Sequence, residues 1–188
     1  MIVVKINKED GLKVNNHFLE VEFSLKKGKL LRVEGENGIG KSSLLQYLKR
    51  KQDLFFQEES CQFLDQSRLS PLNQVCFDDL MHFLQTYRRE DSTFFLNFLK
   101  VIEAYRSLPI NQLSGGQNQM VKLALSLYIG GSVFLLDEPF QFLDKENQLC
   151  VFEMIEWLKS EGKKILIIEH QVDISKVVDE TSSIQVVN

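Results

Sequence analysis

A glycine-rich segment running from Gly35 to Ser42 constrains the fold of this chain more than any other feature. It matches the pattern GxxxxGK[ST], in which glycines let successive backbone N–H groups turn toward one anion. The sequence predicts a strand over Lys29–Glu34 immediately before this segment and a helix over Lys41–Arg50 at its end. A strand, such a loop and a helix N-terminus together predict a phosphate-binding site.

The polar groups of this loop have expected roles toward a nucleotide. Lys41 is expected to reach the β- and γ-phosphates, and Ser42 is expected to ligate Mg²⁺. The predicted phosphate-binding residues are Gly35, Asn37, Gly38, Gly40, Lys41, Ser42 and Ser43.

Two acidic residues follow an uninterrupted apolar run, Val133–Leu136. Such a run is typical of a strand that is buried on both faces of a parallel sheet. It places Asp137 at the C-terminal tip of the strand, where a carboxylate holds Mg²⁺ through water, with Glu138 beside it to polarise an attacking water. Acidic residues also end strands in solvated turns, so this interpretation depends on the glycine-rich loop lying nearby.

The order of the predicted elements indicates an α/β fold, because strands alternate with helices. Between Pro71 and Arg106 the apolar residues recur at helical spacing, which predicts an all-helical insertion that lies on the sheet as a lobe. Further strands are predicted over Ile2–Ile6, Phe18–Leu25, Gln62–Leu64, Lys164–Ile168 and Ser183–Val187, and further helices over Gly116–Ile129, Lys145–Ser160 and Asp173–Val178.

The segment Leu113–Gln117 reads Leu-Ser-Gly-Gly-Gln and resembles the signature motif of the ATP-binding cassette (ABC) family. A serine hydroxyl and two glycines at a helix start also form a second anion cradle on chemical grounds alone. The resemblance implies a P-loop NTPase of ABC type, with a mostly parallel central sheet, a reduced antiparallel β subdomain and the helical lobe. It also implies that this cradle caps the γ-phosphate of ATP on the opposite subunit of a head-to-tail dimer. The cradle residues are Ser114, Gly115, Gly116 and Gln117.

The remaining family motifs follow in order along the chain. Gln66 matches the glutamine that touches Mg²⁺ and the attacking water, although it could be one of several surface glutamines. Glu138 matches the general base, and His170 matches the switch histidine that contacts the γ-phosphate. Asp144 matches the loop that crosses the dimer interface, and it also fits the N-cap of the helix that follows. The implied metal ligands are Ser42, Gln66 and Asp137.

Three departures from the family pattern stand out. The stretch between Ser43 and Gln66 is short, which predicts that a strand or two of the antiparallel subdomain is missing. The loop that carries an adenine-stacking aromatic in many members has none here, which leaves His17 and Phe18 as open alternatives. The basic residue that often follows the signature is absent around Gln119. The expected division of the chain is a nucleotide-binding core, residues 1–66 and 114–188, and a helical subdomain, residues 67–113.

Composition limits the partners of the chain. Its 188 residues suffice for one domain, and its net charge of -4 lacks the basic excess of a dedicated nucleic-acid binder. No apolar run approaches the ~20 residues that cross a bilayer, and the first residues are charged too early for a signal peptide. We therefore expect a cytoplasmic protein without a nucleic-acid partner that reaches the inner face of the cell membrane only by docking on another subunit.

The resemblance implies an ATPase with ATP and Mg²⁺ as its cofactors, as a homodimer or a heterodimer with another ABC subunit, that powers a separate transmembrane permease. The alternative is a soluble ABC ATPase of DNA repair or translation. Residues 42–113 are too few for the long coiled coil of repair ATPases, and translation members usually carry two cassettes. The third possibility is a nucleotide sensor that does not hydrolyse ATP. The presence of Glu138 and His170, which match the family's hydrolytic residues, argues against it. A weaker resemblance, to the haem-exporter ATPase of cytochrome c maturation, leaves the subfamily and the cargo open.

Overall fold

The structure is a computed structural model that describes residues 1–66, 69, 74–84 and 92–187. Its strands are β1 (Ile2–Ile6), β2 (Lys13–Val14), β3 (His17–Leu25), β4 (Lys29–Glu34), β5 (Cys61–Leu64), β6 (Val133–Asp137), β7 (Lys164–Ile168), β8 (Glu180–Ser183) and β9 (Gln185–Val187). Its helices are α1 (Lys41–Arg50), α2 (Gln52–Phe55), α3 (Phe77–Phe83), α4 (Thr93–Ile102), α5 (Gly115–Ile129) and α6 (Lys145–Ser160).

A five-stranded parallel sheet, in the order β5-β6-β7-β4-β8, forms the centre of the molecule. The α/β class with a mostly parallel sheet is therefore confirmed. In the register of β6 and β7, Asp137 lies opposite Ile168. Because the strands are parallel, the loops that follow β4, β6 and β7 all emerge at the same edge of the sheet, which is where such sheets bind ligands.

An antiparallel sheet lies beside the parallel one. Strand β3 pairs with β1, β2 and β9, so this sheet joins the start of the chain to its last strand. It is the small antiparallel subdomain that the family resemblance implied.

The parallel sheet separates two apolar clusters, because successive side chains of a strand point to opposite faces. Leu135 and Ile168 belong to the cluster that includes α1 and the antiparallel sheet. Leu136 and Ile167 belong to the cluster that includes α3, α4, α5 and α6. The strands β6 and β7 are buried along their whole length, as their continuous apolar sequence predicted.

The described helices of the insertion, α3 and α4, pack against α5. Aromatic side chains of α4 contact both neighbouring helices: the Phe95 ring centroid lies 5.7 Å from that of Tyr128 in α5, and the Phe94 ring stacks on Trp157 in α6 at a centroid distance of 4.9 Å. Among the phenylalanines of this region, Phe95 is buried in the core, whereas Phe83 is exposed. The rest of the predicted insertion, residues 70–73 and 85–91, lies outside the described residues.

Two predicted elements near the C-terminus are wrong. The residues 173–178 form a turn rather than a helix. The Asp173 side chain accepts the N–H of Ser175 at 2.9 Å, and this local bond competes with helix formation. The predicted strand Ser183–Val187 is two strands, β8 and β9, that belong to different sheets and are separated by the buried Ile184.

No helix in the described part of the chain is long and apolar enough to cross a membrane.

Candidate nucleotide site

A cleft of about 350 Å³ opens where the loops after β4, β6 and β7 meet. Most of the residues predicted to bind phosphate contribute to it, together with Glu138 and His170 from the other two loops. Two lining residues, Val14 and Ile168, were not predicted. The full lining is Val14, Asn37, Gly38, Gly40, Lys41, Ser42, Ser43, Glu138, Ile168 and His170.

Gly40 closes the glycine-rich loop and begins α1. Its φ of +112° lies in a region that side chains rarely adopt, and a Cβ there would fall 2.6 Å from Leu19 and 2.8 Å from Val14. As the N-cap of α1, Gly40 provides no side-chain hydrogen bond, so the first N–H groups of the helix have no partner within the helix. Those N–H groups and the positive end of the helix dipole suit a phosphate.

Lys41 is buried at the base of this loop. Its Nζ donates hydrogen bonds to the carbonyl of Gly35 at 2.7 Å and to the carbonyl of Glu36 at 2.9 Å. These contacts hold the ammonium group at the glycine-rich loop, and its contact with the β- and γ-phosphates stays a prediction.

Asp137, at the tip of β6, has an exposed fraction of only 2%. Burial raises the pKa of its carboxyl group, and hydrogen bonds from Ser42 and Gln66 oppose that rise. Its Oδ1 is buried and has no hydrogen-bond partner among the described residues. The structure thus brings together the three predicted metal ligands, and their carboxylate, hydroxyl and amide oxygens are the donors that Mg²⁺ prefers.

Glu138 sits in a strained backbone conformation, with φ of +48°, which is uncommon outside glycine. Its N–H donates to the carbonyl of Ile168 at 2.9 Å, which ties it to the end of β7. Its Oε1 lies 3.3 Å from Nδ1 of His170. Burial raises the pKa of the Glu138 carboxyl, and the nearby His170 partly offsets this. A buried carboxylate aimed into a cleft is suited to accept a proton.

The signature residues form the start of α5, away from the cleft. Ser114 is the N-cap: its Oγ accepts the N–H of Gln117 at 3.2 Å, and the Gln117 Oε1 accepts the N–H of Ser114 at 2.9 Å. Neither they nor the two glycines between them line the cleft. Asp144 caps α6 by accepting the N–H of Asn147 at 2.9 Å, which confirms the capping interpretation.

Residues 18–141, more than half of the chain, match the family model described as ABC transporter. The chain belongs to the ABC transporter family.

Relatives agree with this assignment. The ABC protein is 30% identical to the energy-coupling factor transporter ATP-binding protein EcfA1 of Fusobacterium nucleatum, an alignment that covers 83% of the chain and 68% of the relative. It is 27% identical to the macrolide export ATP-binding/permease protein MacB of a Shewanella species, over 88% of the chain but only 29% of that protein's length. A solved putative ABC transporter ATP-binding protein from Pyrococcus furiosus superposes with a TM-score of 0.67 at 18% identity, over 97% of the chain and 94% of that structure.

The structure of this ABC ATPase also shows a residue that sequence reasoning missed. Glu169 is buried, and its Oε1 accepts the N–H groups of His170, Gln171 and Val172 at 2.8, 2.7 and 3.2 Å. Its own carbonyl accepts a hydrogen bond from Arg32 at 2.9 Å. Glu169 therefore fixes the loop that presents His170. The available signal was a charged residue directly after the apolar run 165–168.

In this ABC protein the cleft is also lined by Val14, from the short strand β2. Neither aromatic alternative lines the cleft: Phe18 instead carries Lys13 over its ring at 4.3 Å, and His17 is exposed. The two-residue strand was too short to be predicted from periodicity.

Proposed function

We propose that this protein binds and hydrolyses ATP with Mg²⁺ at the interface of a head-to-tail dimer, and that hydrolysis powers a separate transmembrane permease. The observation that carries the proposal is the cleft itself, which Lys41, Ser42 and the strained Glu138 line together. The buried Asp137 lies behind it, hydrogen bonded to Ser42. The names of relatives, which describe ATP-binding proteins of transporters, support the coupling to transport.

Each cleft residue has a chemical role in this proposal. The N–H groups at the start of α1 and the ammonium of Lys41 bind the β- and γ-phosphates. Ser42, Gln66 and Asp137 would hold Mg²⁺, which would neutralise charge on the phosphate oxygens. Glu138 accepts a proton from the attacking water at its carboxylate, and His170 orients that carboxylate and contacts the γ-phosphate.

The second cradle supports the dimer. Ser114, Gly115, Gly116 and Gln117 form a helix N-terminus that the cleft of the same chain does not use. The phosphate-binding site in the cleft of one subunit can therefore be completed by this cradle from the other subunit. Asp144 then lies near the same interface. The partner subunit is a second copy of this chain or another ABC subunit.

The proposal also assigns regions of the chain. Residues 1–66 and 114–188 form the nucleotide-binding core, and residues 67–113 form a helical subdomain that contacts the permease. Association with the inner face of the membrane occurs through that permease, and the net charge of -4 supports the absence of a nucleic-acid partner.

ATP hydrolysis by the purified protein tests the proposal. Glu138→Gln should bind ATP normally and turn over at least ~100-fold more slowly, because it removes the base that accepts the proton. Lys41→Ala should lose ATP binding, because it removes the buried charge beside the phosphates. Glu36→Gln is the matched control, since Glu36 is an exposed glutamate in the same loop. Wild-type turnover in Glu138→Gln would show that another group activates the water.

A further inference from the structure

Helix α5 carries a buried amide that reaches out of the helix to the loop after β6. Gln119 has an exposed fraction of 4%, and its Nε2 donates to the carbonyl of Pro139 at 3.1 Å and to the carbonyl of Glu138 at 3.3 Å. A buried amide is costly unless it is hydrogen bonded, and here both bonds go to the backbone of the loop that carries the proposed base.

These bonds act on the strained residue of the site. The N–H of Glu138 is held by the carbonyl of Ile168, and its carbonyl accepts from the Gln141 N–H at 3.1 Å as well as from Gln119. A residue at φ of +48° persists only where its surroundings fix it. From outside the loop, Ile168 in β7 binds its N–H and Gln119 in α5 binds its carbonyl.

One turn further along the same face of α5, Lys122 makes the equivalent contact to the other loop. Its Nζ donates to the carbonyl of Asp65 at 2.7 Å, next to Gln66, whose side chain bonds Asp137. Burial lowers the pKa of the Lys122 ammonium, and the charges of Asp65 and Asp137 oppose this effect.

The start of α5 touches the loop after Glu138 as well. A Cβ on Gly116 would lie 2.7 Å from the carbonyl oxygen of Phe142, and one on Gly115 would lie 3.2 Å from the Phe142 ring. The helix that presents the Ser114 cradle is thus bonded or packed to the loop after β6, which carries Glu138, and bonded to the loop after β5, which carries Gln66.

We propose that Gln119 and Lys122 are positioning residues through which α5 sets the Glu138 loop and the Gln66 loop. A nucleotide held by the signature cradle of one subunit then acts, through the same helix, on the catalytic groups in the cleft of that subunit. The positioning follows from the contacts alone, whereas its effect on catalysis rests on the proposed function.

Hydrogen exchange on the full chain without nucleotide tests the positioning directly. Gln119→Met keeps the size of the side chain and removes its donors, so exchange in residues 138–143 should accelerate about tenfold, as expected when buried hydrogen bonds are lost. Lys122→Met should accelerate exchange at residues 65–66 instead. Ser126→Ala is the matched control, because the buried Ser126 hydroxyl donates its hydrogen bond within α5, to the carbonyl of Leu123.

Turnover provides the second readout. Gln119→Met should lower kcat about tenfold or more while the Kd for ATP stays within about threefold, because small displacements of a catalytic group slow chemistry without weakening binding. In the Glu138→Gln background it should slow hydrolysis no further.

Two results would overturn the inference. One is unchanged exchange in both loops. The other is a uniform acceleration across β6 and β7 in both variants, which would mean that these residues only stabilise the fold. If Gln119→Met does not fold, Lys122→Met decides the question alone, since Lys122 is only partly buried. A wild type without ATPase activity would defeat the proposed function, and the exchange pattern would still decide this inference.

Discussion

Alanine at the two signature glycines should have unequal effects on stability, because the glycines face different parts of Phe142. Both lie in the first turn of α5 without a positive φ, so alanine fits the backbone at either position. A Cβ on Gly116 would lie 2.7 Å from the Phe142 carbonyl oxygen, whereas one on Gly115 would lie 3.2 Å from the Phe142 ring. The ring is 67% exposed and can turn away, but the carbonyl belongs to the backbone of the loop that carries Glu138.

The distances set the expected magnitudes. A carbon–oxygen contact relaxes to about 3.3 Å, so the loop or the helix must move by roughly 0.6 Å in Gly116→Ala. Overpacking of this kind lowers the free energy of unfolding by about 1–3 kcal/mol. The better helix propensity of alanine raises it by at most ~1 kcal/mol. The net loss of stability should be about 1–2 kcal/mol for Gly116→Ala, and Gly115→Ala should stay within ~1 kcal/mol of wild type in either direction.

Urea unfolding of the two variants measures this difference, with equal m-values required for the comparison. The displacement in Gly116→Ala should also lower the ATPase rate, since it moves the Glu138 loop. Equal midpoints for the two variants would refute the reasoning, because they would show that the Phe142 carbonyl does not limit the space at Gly116.

Further predictions concern the buried ion pair and the glycine-rich loop. Lys164, 1% exposed, donates to Glu59 at 2.6 Å, and the Glu59 side chain is 34% exposed. Glu59→Gln leaves the buried charge of Lys164 without its anionic partner and should lower the free energy of unfolding in urea by about 2 kcal/mol. Lys164→Met removes that charge and should lower it by under ~1 kcal/mol. The hydrogen bond from Lys164 lowers the pKa of Glu59, so wild-type stability should begin to fall as pH drops below about 4.5, and Glu59→Gln should lack this component in acid titrations. Gly40→Ala should weaken ATP binding at least ~10-fold by titration, because its Cβ would displace the loop.

Local patterns predicted the elements around the cleft well. Helix α1 begins at Lys41 and ends at Arg50, as predicted, because the glycine-rich loop defines its start. Strands β6 and β7 were recognisable because each contains an uninterrupted apolar run, residues 133–136 and 165–168, as expected of a strand buried on both faces of the sheet. The motif residues also lie where their flanking elements imply, so the cleft itself was predictable.

The misread strand near the C-terminus and the missed role of Gln119 share a physical cause, which is contact between segments distant in sequence. The predicted strand Ser183–Val187 divides at Ile184 because β8 pairs with β4 and β9 pairs with β3, and periodicity does not report pairing partners. The structural role of Gln119 comes from hydrogen bonds to carbonyls about twenty residues away in the sequence. From the local sequence alone, such a glutamine is one polar residue on a helix, and its distant hydrogen-bond partners are not predicted.

The central claim is that ATP joins the cleft of one subunit to the Ser114 cradle of the other. Glu138→Gln should retain bound ATP and accumulate a dimer, since hydrolysis would otherwise remove the γ-phosphate that bridges the two subunits. Adding Ser114→Arg places a bulky side chain in the cradle and should return this variant to a monomer that still binds ATP.

Light scattering after gel filtration, with and without saturating ATP, measures this most directly. The account predicts twice the monomer mass for Glu138→Gln with ATP, and the monomer mass without ATP or with Ser114→Arg added. A monomer mass for Glu138→Gln under saturating ATP would contradict a dimer built by this chain alone, and a dimer that persists in the Ser114→Arg variant would contradict the role of the cradle.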